Sequence, residues 1–220
     1  MDKQYVVIGM GRFGLNIAKC LADMGEDVLA VDMDEDTIAE ISKHVTHAVQ
    51  ADATDEKALA ALGLRNFDVA VVTIGSNIQA SILITMLCKE IGVKYVLAKA
   101  QNDLHGKVLY KTGADKVVFP ERDMAFRIAH NLSASNILDY IEIAGDLRIV
   151  EIVALDAWAG KSLIELNFRK KYGTNIIAIK KPDGEMNTSP YGDDVLEKGD
   201  SLIVVGNKDD FVKLEKATKK

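Results

Sequence analysis

Apolar residues along the first 120 positions gather into six short runs: Tyr5–Gly9, Val28–Asp32, His47–Asp52, Val69–Ile74, Tyr95–Lys99 and Lys116–Phe119. Val, Ile and Ala fill them with little polar alternation, the pattern of parallel strands covered on both faces. The segments between them carry helical spacing, as in Phe13, Ile17 and Leu21. Four of these segments end near a glycine, at Gly25, Gly63, Gly92 and Gly113, where a left-handed backbone closes a helix. Helix starts are marked too. Asp52 and Thr54 stand before Glu56–Leu62, and Asn77 before Ile78–Ile91, with side-chain oxygens suited to capping free amides. Pro120 and Glu121 open a further helix, expected to run to about Ala134. Strands alternating with helices imply right-handed crossovers, hence an α/β fold with a Rossmann-like, doubly wound parallel sheet.

From Asn136 the pattern changes. Alternating segments (Leu138–Ile143, Arg148–Ala154), a Pro182-Asp183-Gly184 turn and an apolar run at Ser201–Val205 predict a small α+β domain. The junction is neither Pro- nor Gly-rich, so a helix is expected to join the parts. The expected division is residues 1–120 for the parallel-sheet domain, 121–136 for a connecting crossover helix and 137–220 for the C-terminal domain.

Composition narrows the function. The chain has 220 residues, 48% of them hydrophobic and 27% charged, an ordinary globular balance. A net charge of −6 makes it a poor match for nucleic acid or an anionic membrane surface. Cys20 and Cys88 cannot build a disulfide framework or a metal motif, and both are expected to be buried free thiols. Val69–Cys88 contains no formal charge over twenty residues, long enough to span a bilayer. Thr73, Gly75, Ser76, Asn77, Gln79, Ser81 and Thr85 interrupt it, so a strand, a turn and a helix are predicted instead. The N-terminus runs directly into a strand without a signal-peptide pattern, and a cytoplasmic protein is expected.

The candidate chemistry lies in Gly9-Met10-Gly11-Arg12-Phe13-Gly14, a G-x-G-x-x-G between a predicted strand and an amphipathic helix. The first glycine serves the tight turn, the second lets backbone approach a pyrophosphate, and the third lets the helix pack on the strand. Amides at the helix start would face the anion. Asp32, 18 residues beyond Gly14, ends the second strand, where a carboxylate accepts ribose hydroxyls and repels a 2′-phosphate. A guanidinium at Arg12 can reach a further phosphate, which favours ATP or ADP over a dinucleotide; an exposed arginine there also needs no ligand. A dehydrogenase would need an acid–base group. None of His44, His47, His105 and His130 sits in a recognisable catalytic setting, and His44 and His47 lack a carboxylate at metal-ligand spacing. Nucleotide binding without catalysis is therefore expected, with an NAD-dependent oxidoreductase as the alternative.

These residues resemble a known group. The glycine loop, Asp32, Gln50-Ala51-Asp52-Ala53-Thr54, Asn66-Phe67-Asp68, Gly75-Ser76-Asn77-Ile78-Gln79-Ala80-Ser81, Lys99-Ala100-Gln101 and Pro120-Glu121-Arg122-Asp123-Met124-Ala125 resemble the N-terminal half of an RCK domain, a regulator of potassium conductance. Gly160–Leu166, Lys171-Tyr172-Gly173, Ile176–Ile179 and Leu196–Gly206 resemble the C-terminal half. The resemblance spans nearly the whole chain and is to regulatory subunits of bacterial Ktr potassium uptake systems (KtrA/KtrC type). It implies a homo-octameric ring of dimers, peripheral to the inner face of the membrane through a potassium channel subunit of the KtrB/KtrD type. It also implies ATP favouring the open state and ADP the closed one. By position it assigns Gly9, Gly11, Arg12, Phe13, Gly14, Asp32, Asp52, Ala53, Thr54, Ile74, Gly75 and Lys99 to the nucleotide, with Arg12 toward the γ-phosphate. Glu121 matches a carboxylate that helps hold a divalent cation; taken alone it is an acid complementing a helix dipole. Arg169, Asn175, Ile176 and Pro190 match a cyclic di-AMP site at a two-fold interface, where a symmetric ligand meets the same patch twice. An NAD(H)-responsive Trk-type regulator shares the fold and is the second alternative.

Overall fold

The computed structural model of the chain describes residues 3–133, 137–144 and 146–218. They divide into two compact units, Met1–Glu121 and Arg122–Lys220. The first unit alternates strand and helix throughout: β1 (Gln4–Ile8), α1 (Arg12–Asp23), β2 (Asp27–Asp32), α2 (Glu35–Ile41), β3 (His47–Gln50), α3 (Glu56–Ala61), β4 (Val69–Val72), α4 (Ile78–Ile91), β5 (Tyr95–Lys99), α5 (Asp103–Lys111) and β6 (Lys116–Val118). Helix α6 (Pro120–Ser133) follows. The six strands form one parallel sheet in the order β3-β2-β1-β4-β5-β6. All six apolar runs are strands of this doubly wound sheet.

Period-two burial explains why those runs lack polar alternation. Val6, Ile8, Leu29, Val31, Ala70 and Val72 pack on one face with Leu59, Ile84 and Leu109 from α3, α4 and α5. Val7, Val28, Ala30 and Val71 pack on the other with Ala18 and Ile41 from α1 and α2. Neither face is left to water, so both parities must be apolar. The chain reverses its winding between β1 and β4, which creates the switch-point crevice beyond the strand ends.

Local signals hold with two corrections. Gly25, Gly63, Gly92 and Gly113 all have positive φ, between 69° and 109°. Asn77 caps α4 by accepting from the Ala80 amide at 3.0 Å. Helix α3, however, is capped by Asp55, which accepts from Lys57 N, rather than by Asp52 or Thr54. Asp52 instead accepts from the Thr54 amide (2.9 Å) and hydroxyl (2.6 Å), closing its own turn beyond β3. Cys88 is buried, as expected, but Cys20 is exposed. It lies two positions from buried Ala18, which carries it to the far side of α1. The uncharged Val69–Cys88 stretch divides into β4, a turn and most of α4. Among the described residues no helix is long and apolar enough to cross a membrane.

The second unit contains β7 (Ile137–Ala144), β8 (Leu147–Val153), α7 (Leu163–Leu166), α8 (Phe168–Tyr172), β9 (Asn175–Lys180), β10 (Met186–Asn187), β11 (Ser201–Asn207) and α9 (Lys208–Thr218). Its sheet is antiparallel in the order β10-β9-β11-β8-β7, so this half is α+β as expected. Val150, Ile152, Leu202 and Val204 face a core with Trp158, Leu166, Phe168, Phe211 and Leu214, and Trp158 meets Phe168 edge-on at 4.9 Å. The 182–184 turn joins β9 to β10, with Gly184 at φ 95°. Ala134 and Asn136, the expected helix end and start of the changed pattern, lie outside the described residues.

Candidate functional site

The glycine loop occupies the crevice where β1 meets β4. Gly9 follows β1 at φ 95°, a conformation that side chains disfavour. A Cβ there would also stand 2.9 Å from Ile74 Cγ1. A Cβ on Gly14 would overlap the Gly9 carbonyl oxygen and the Thr73 hydroxyl, so the third glycine lets α1 lie against β1. Gly11 differs. It immediately precedes α1, and a Cβ there would meet nothing within 4 Å. Its open side is where an anion can reach the free amides of α1.

Two side chains brace this loop. Asp32, at the end of β2, accepts from Met10 N at 2.5 Å through Oδ2 and from Asp34 N at 2.9 Å through Oδ1. Its carboxylate thus ties the loop to the neighbouring strand end, and each oxygen keeps accepting capacity for a hydroxyl. Thr73, 5% exposed at the end of β4, aims its hydroxyl at the carbonyls of Ile8 (3.1 Å) and Gly9. Sequence reasoning missed Thr73. Its only signal was a hydroxyl in an otherwise apolar strand.

The next strand ends supply charge. Lys99, the last residue of β5, is only 12% exposed in its side chain and ion-pairs with Glu121, whose side chain is 69% exposed in the first turn of α6. The ammonium also lies 5.7 Å from the centroid of the Phe13 ring, a cation–π distance. Gly75 leaves room for it, since a Cβ there would sit 3.4 Å from Nζ. The Lys99 ammonium, with Arg12 adding its charge, holds the Glu121 carboxyl below the usual carboxylate range. Arg12 is exposed at the first position of α1. The structure therefore brings Arg12, Phe13, Gly75, Lys99 and Glu121 together beside the loop, with Ile74 packed beneath it.

Asp52 and Thr54 lie beyond β3, next to β2 in the sheet, and Ala53 between them is buried. The two Thr54 hydrogen bonds keep the Asp52 carboxyl below its ordinary value. These residues border the same edge of the sheet as Asp32, whose carbonyl accepts from Ala51 N at 2.9 Å. Glu121 is already neutralised by Lys99, and among the described residues no group of three His, Cys, Asp or Glu is gathered.

In the second unit Arg169 is exposed on α8, and Asn175 and Ile176 begin β9 just beyond the left-handed Gly173. Pro190 lies past β10 in a loop that Asp194 secures, accepting from Asn187 Nδ2 and Tyr191 N, both at 2.9 Å.

Residues 5–120 match the TrkA-N domain and residues 147–219 the TrkA-C domain. The chain is 51% identical over 216 residues to the Ktr system potassium uptake protein C of Bacillus subtilis (strain 168), covering 98% of this chain and 97% of that protein. It is 46% identical over 214 residues to the Ktr system potassium uptake protein A of the same organism, covering 97% and 96%. Among solved structures, the crystal structure of the GsuK RCK domain superposes with a TM-score of 0.69 at 18% identity, covering 98% of this chain and 47% of that one. At that identity the likeness bears on the fold alone.

Proposed function

We propose, from the premise that the chain belongs to the family of Ktr-type RCK regulatory subunits with a TrkA-N domain followed by a TrkA-C domain, that it senses ATP against ADP and regulates potassium transport through a separate membrane subunit. The observation that carries the nucleotide reading is the cationic mouth of the glycine loop, where Lys99 lies over Phe13 and Arg12 opens α1. Loop amides alone serve a pyrophosphate; further cations suit a longer phosphate chain. Asp32 takes the ribose hydroxyls, while Asp52, Ala53, Thr54, Ile74 and Gly75 border the adenosine. Arg12 discriminates the γ-phosphate. A γ-phosphate that contacts one arrangement of subunits better than another shifts their equilibrium by the difference in contact energy.

In this reading residues 1–120 bind the nucleotide, 121–136 connect, and 137–220 form the second sensing domain. That domain takes cyclic di-AMP through Arg169, Asn175, Ile176 and Pro190 of two copies. The subunits assemble as an octameric ring of dimers in the cytoplasm, against a channel subunit of the KtrB/KtrD type, and the chain performs no catalysis. Calorimetric titration with ATP, ADP and NADH tests the ligand. ATP and ADP should bind with different affinities, both ahead of NADH. Tight NADH binding without affinity for ATP would refute it in favour of an NAD(H)-responsive regulator. Arg12→Ala should weaken ATP more than ADP; equal losses would remove Arg12 from the γ-phosphate.

A further inference from the structure

The pair Lys99–Glu121 joins two unequal partners. Lys99 is held by packing: its stem is largely buried, Phe13 covers it and Gly75 lies against it. A largely buried ammonium favours an anion beside it, because an unpaired one has lost water without a replacement. Glu121 supplies that anion from an exposed position in the first turn of α6, so its carboxylate can turn into water at little cost. The cation is fixed and the anion is replaceable. The fixed cation stands over a residue of the phosphate loop itself.

We propose that Glu121 is a built-in competitor of the ligand's phosphates: it occupies Lys99 in the ligand-free protein, and a phosphate bound at the loop takes Lys99 from it. The proposal rests on the nucleotide reading above and deepens it. Lys99 then acts as a ligand-binding residue and Glu121 as a positioning residue that sets how readily the ammonium is available.

The test is binding of ADP and of adenosine to the full chain in EDTA, by calorimetry, for wild type, Lys99→Gln, Glu121→Gln and the double variant. Lys99→Gln should weaken ADP about tenfold, the worth of a charged hydrogen bond. Glu121→Gln should tighten ADP about fivefold, the scale of an exposed ion pair. Adenosine, which has no phosphate, should be unchanged in all four proteins. In the Lys99→Gln background the gain from Glu121→Gln should shrink below about twofold, because no pair remains to be broken. An equal or larger gain in that background would mean a simple through-space charge effect, and a loss of ADP affinity on Glu121→Gln would mean that the pair persists in the complex; either overturns the exchange. Failure of the nucleotide reading looks different: wild type would then bind ADP no better than adenosine.

Discussion

Alanine placed at the second and at the third glycine of the loop should have opposite consequences. At Gly14 the new Cβ would lie 3.1 Å from the Gly9 carbonyl carbon and nearer still to its oxygen, against 3.5–4.0 Å for carbon pairs at rest. The obstacle is backbone, which cannot rotate aside, so α1 must retreat from β1 by more than about half an ångström. That retreat loosens Ala18, Ile17 and Leu21 in the core beneath the helix. Overpacking of this kind costs about 3 kcal/mol, and at roughly 2–4 °C per kcal/mol the melting temperature should fall by roughly 6–12 °C. At Gly11 the backbone has φ −63° and ψ 175°, which alanine adopts freely, and the Cβ meets nothing within 4 Å. The weaker helix cap is offset by the stiffer unfolded chain, so stability should change by less than about 1 kcal/mol. The same methyl fills the space through which an anion reaches the α1 amides, so ADP affinity should drop about tenfold or more, the loss of a charged hydrogen bond. Thermal unfolding by circular dichroism and ADP calorimetry on both variants read this out. A Gly11→Ala protein as destabilised as Gly14→Ala, or a Gly14→Ala protein melting like wild type, would refute the division of labour.

Thr73→Val should cost roughly 1–3 kcal/mol by leaving the Gly9 carbonyl without its hydroxyl donor, while Ile8 O keeps the Thr73 amide at 2.9 Å, whereas Thr73→Ser should recover most of it in urea unfolding. Burial holds the His105 imidazole below its ordinary value, and its Nδ1 accepts from Gln101 N at 3.3 Å. The folded state favours the neutral ring, so stability is fully present above about pH 6.5 and is lost as pH falls from there through the folded value. Urea midpoints at pH 7.5 and 5.5 should show this fall, and His105→Asn should flatten it; an unchanged slope would exonerate His105. A thiol titration of the native protein should find Cys20 accessible, while Cys88, pushed up to about 12 by burial, reacts only on unfolding. Modification of Cys88 at the rate of Cys20 would contradict its place in the core.

What was legible in the sequence was what neighbours along the chain decide. Both-face burial writes itself into uninterrupted apolar runs, and a left-handed helix end demands glycine, so six strands and four helix ends could be read directly. Asp52 and Thr54 read as caps of α3, but the cap passed to Asp55 because the chain needs one further turn, closed by Asp52 on Thr54, to leave β3. Cys20 misled because apolar sequence neighbours say nothing about which side of a helix a residue takes. The bracing contacts were illegible for a stronger reason. Thr73 reaches Gly9 across 64 residues and Lys99 reaches Glu121 across 22. No local pattern encodes such pairings, because they depend on the order in which the strands are laid side by side.

That strand order has a consequence for biosynthesis. The crevice draws on residues at or just beyond the ends of all six strands, and its last charged member, Glu121, is also the last residue of the first unit. A nascent chain that has emerged only through β3 holds the glycine loop and Asp32 but neither Thr73 nor Lys99, and β1 still lacks its neighbour β4. Loop closure over such separations precedes the contacts that repay it, which makes this a slow, non-local assembly. On the nucleotide reading, ligand can therefore stabilise the unit fully only after Lys99 has cleared the ribosome, and a chain stalled before β4 gains little from nucleotide, however abundant.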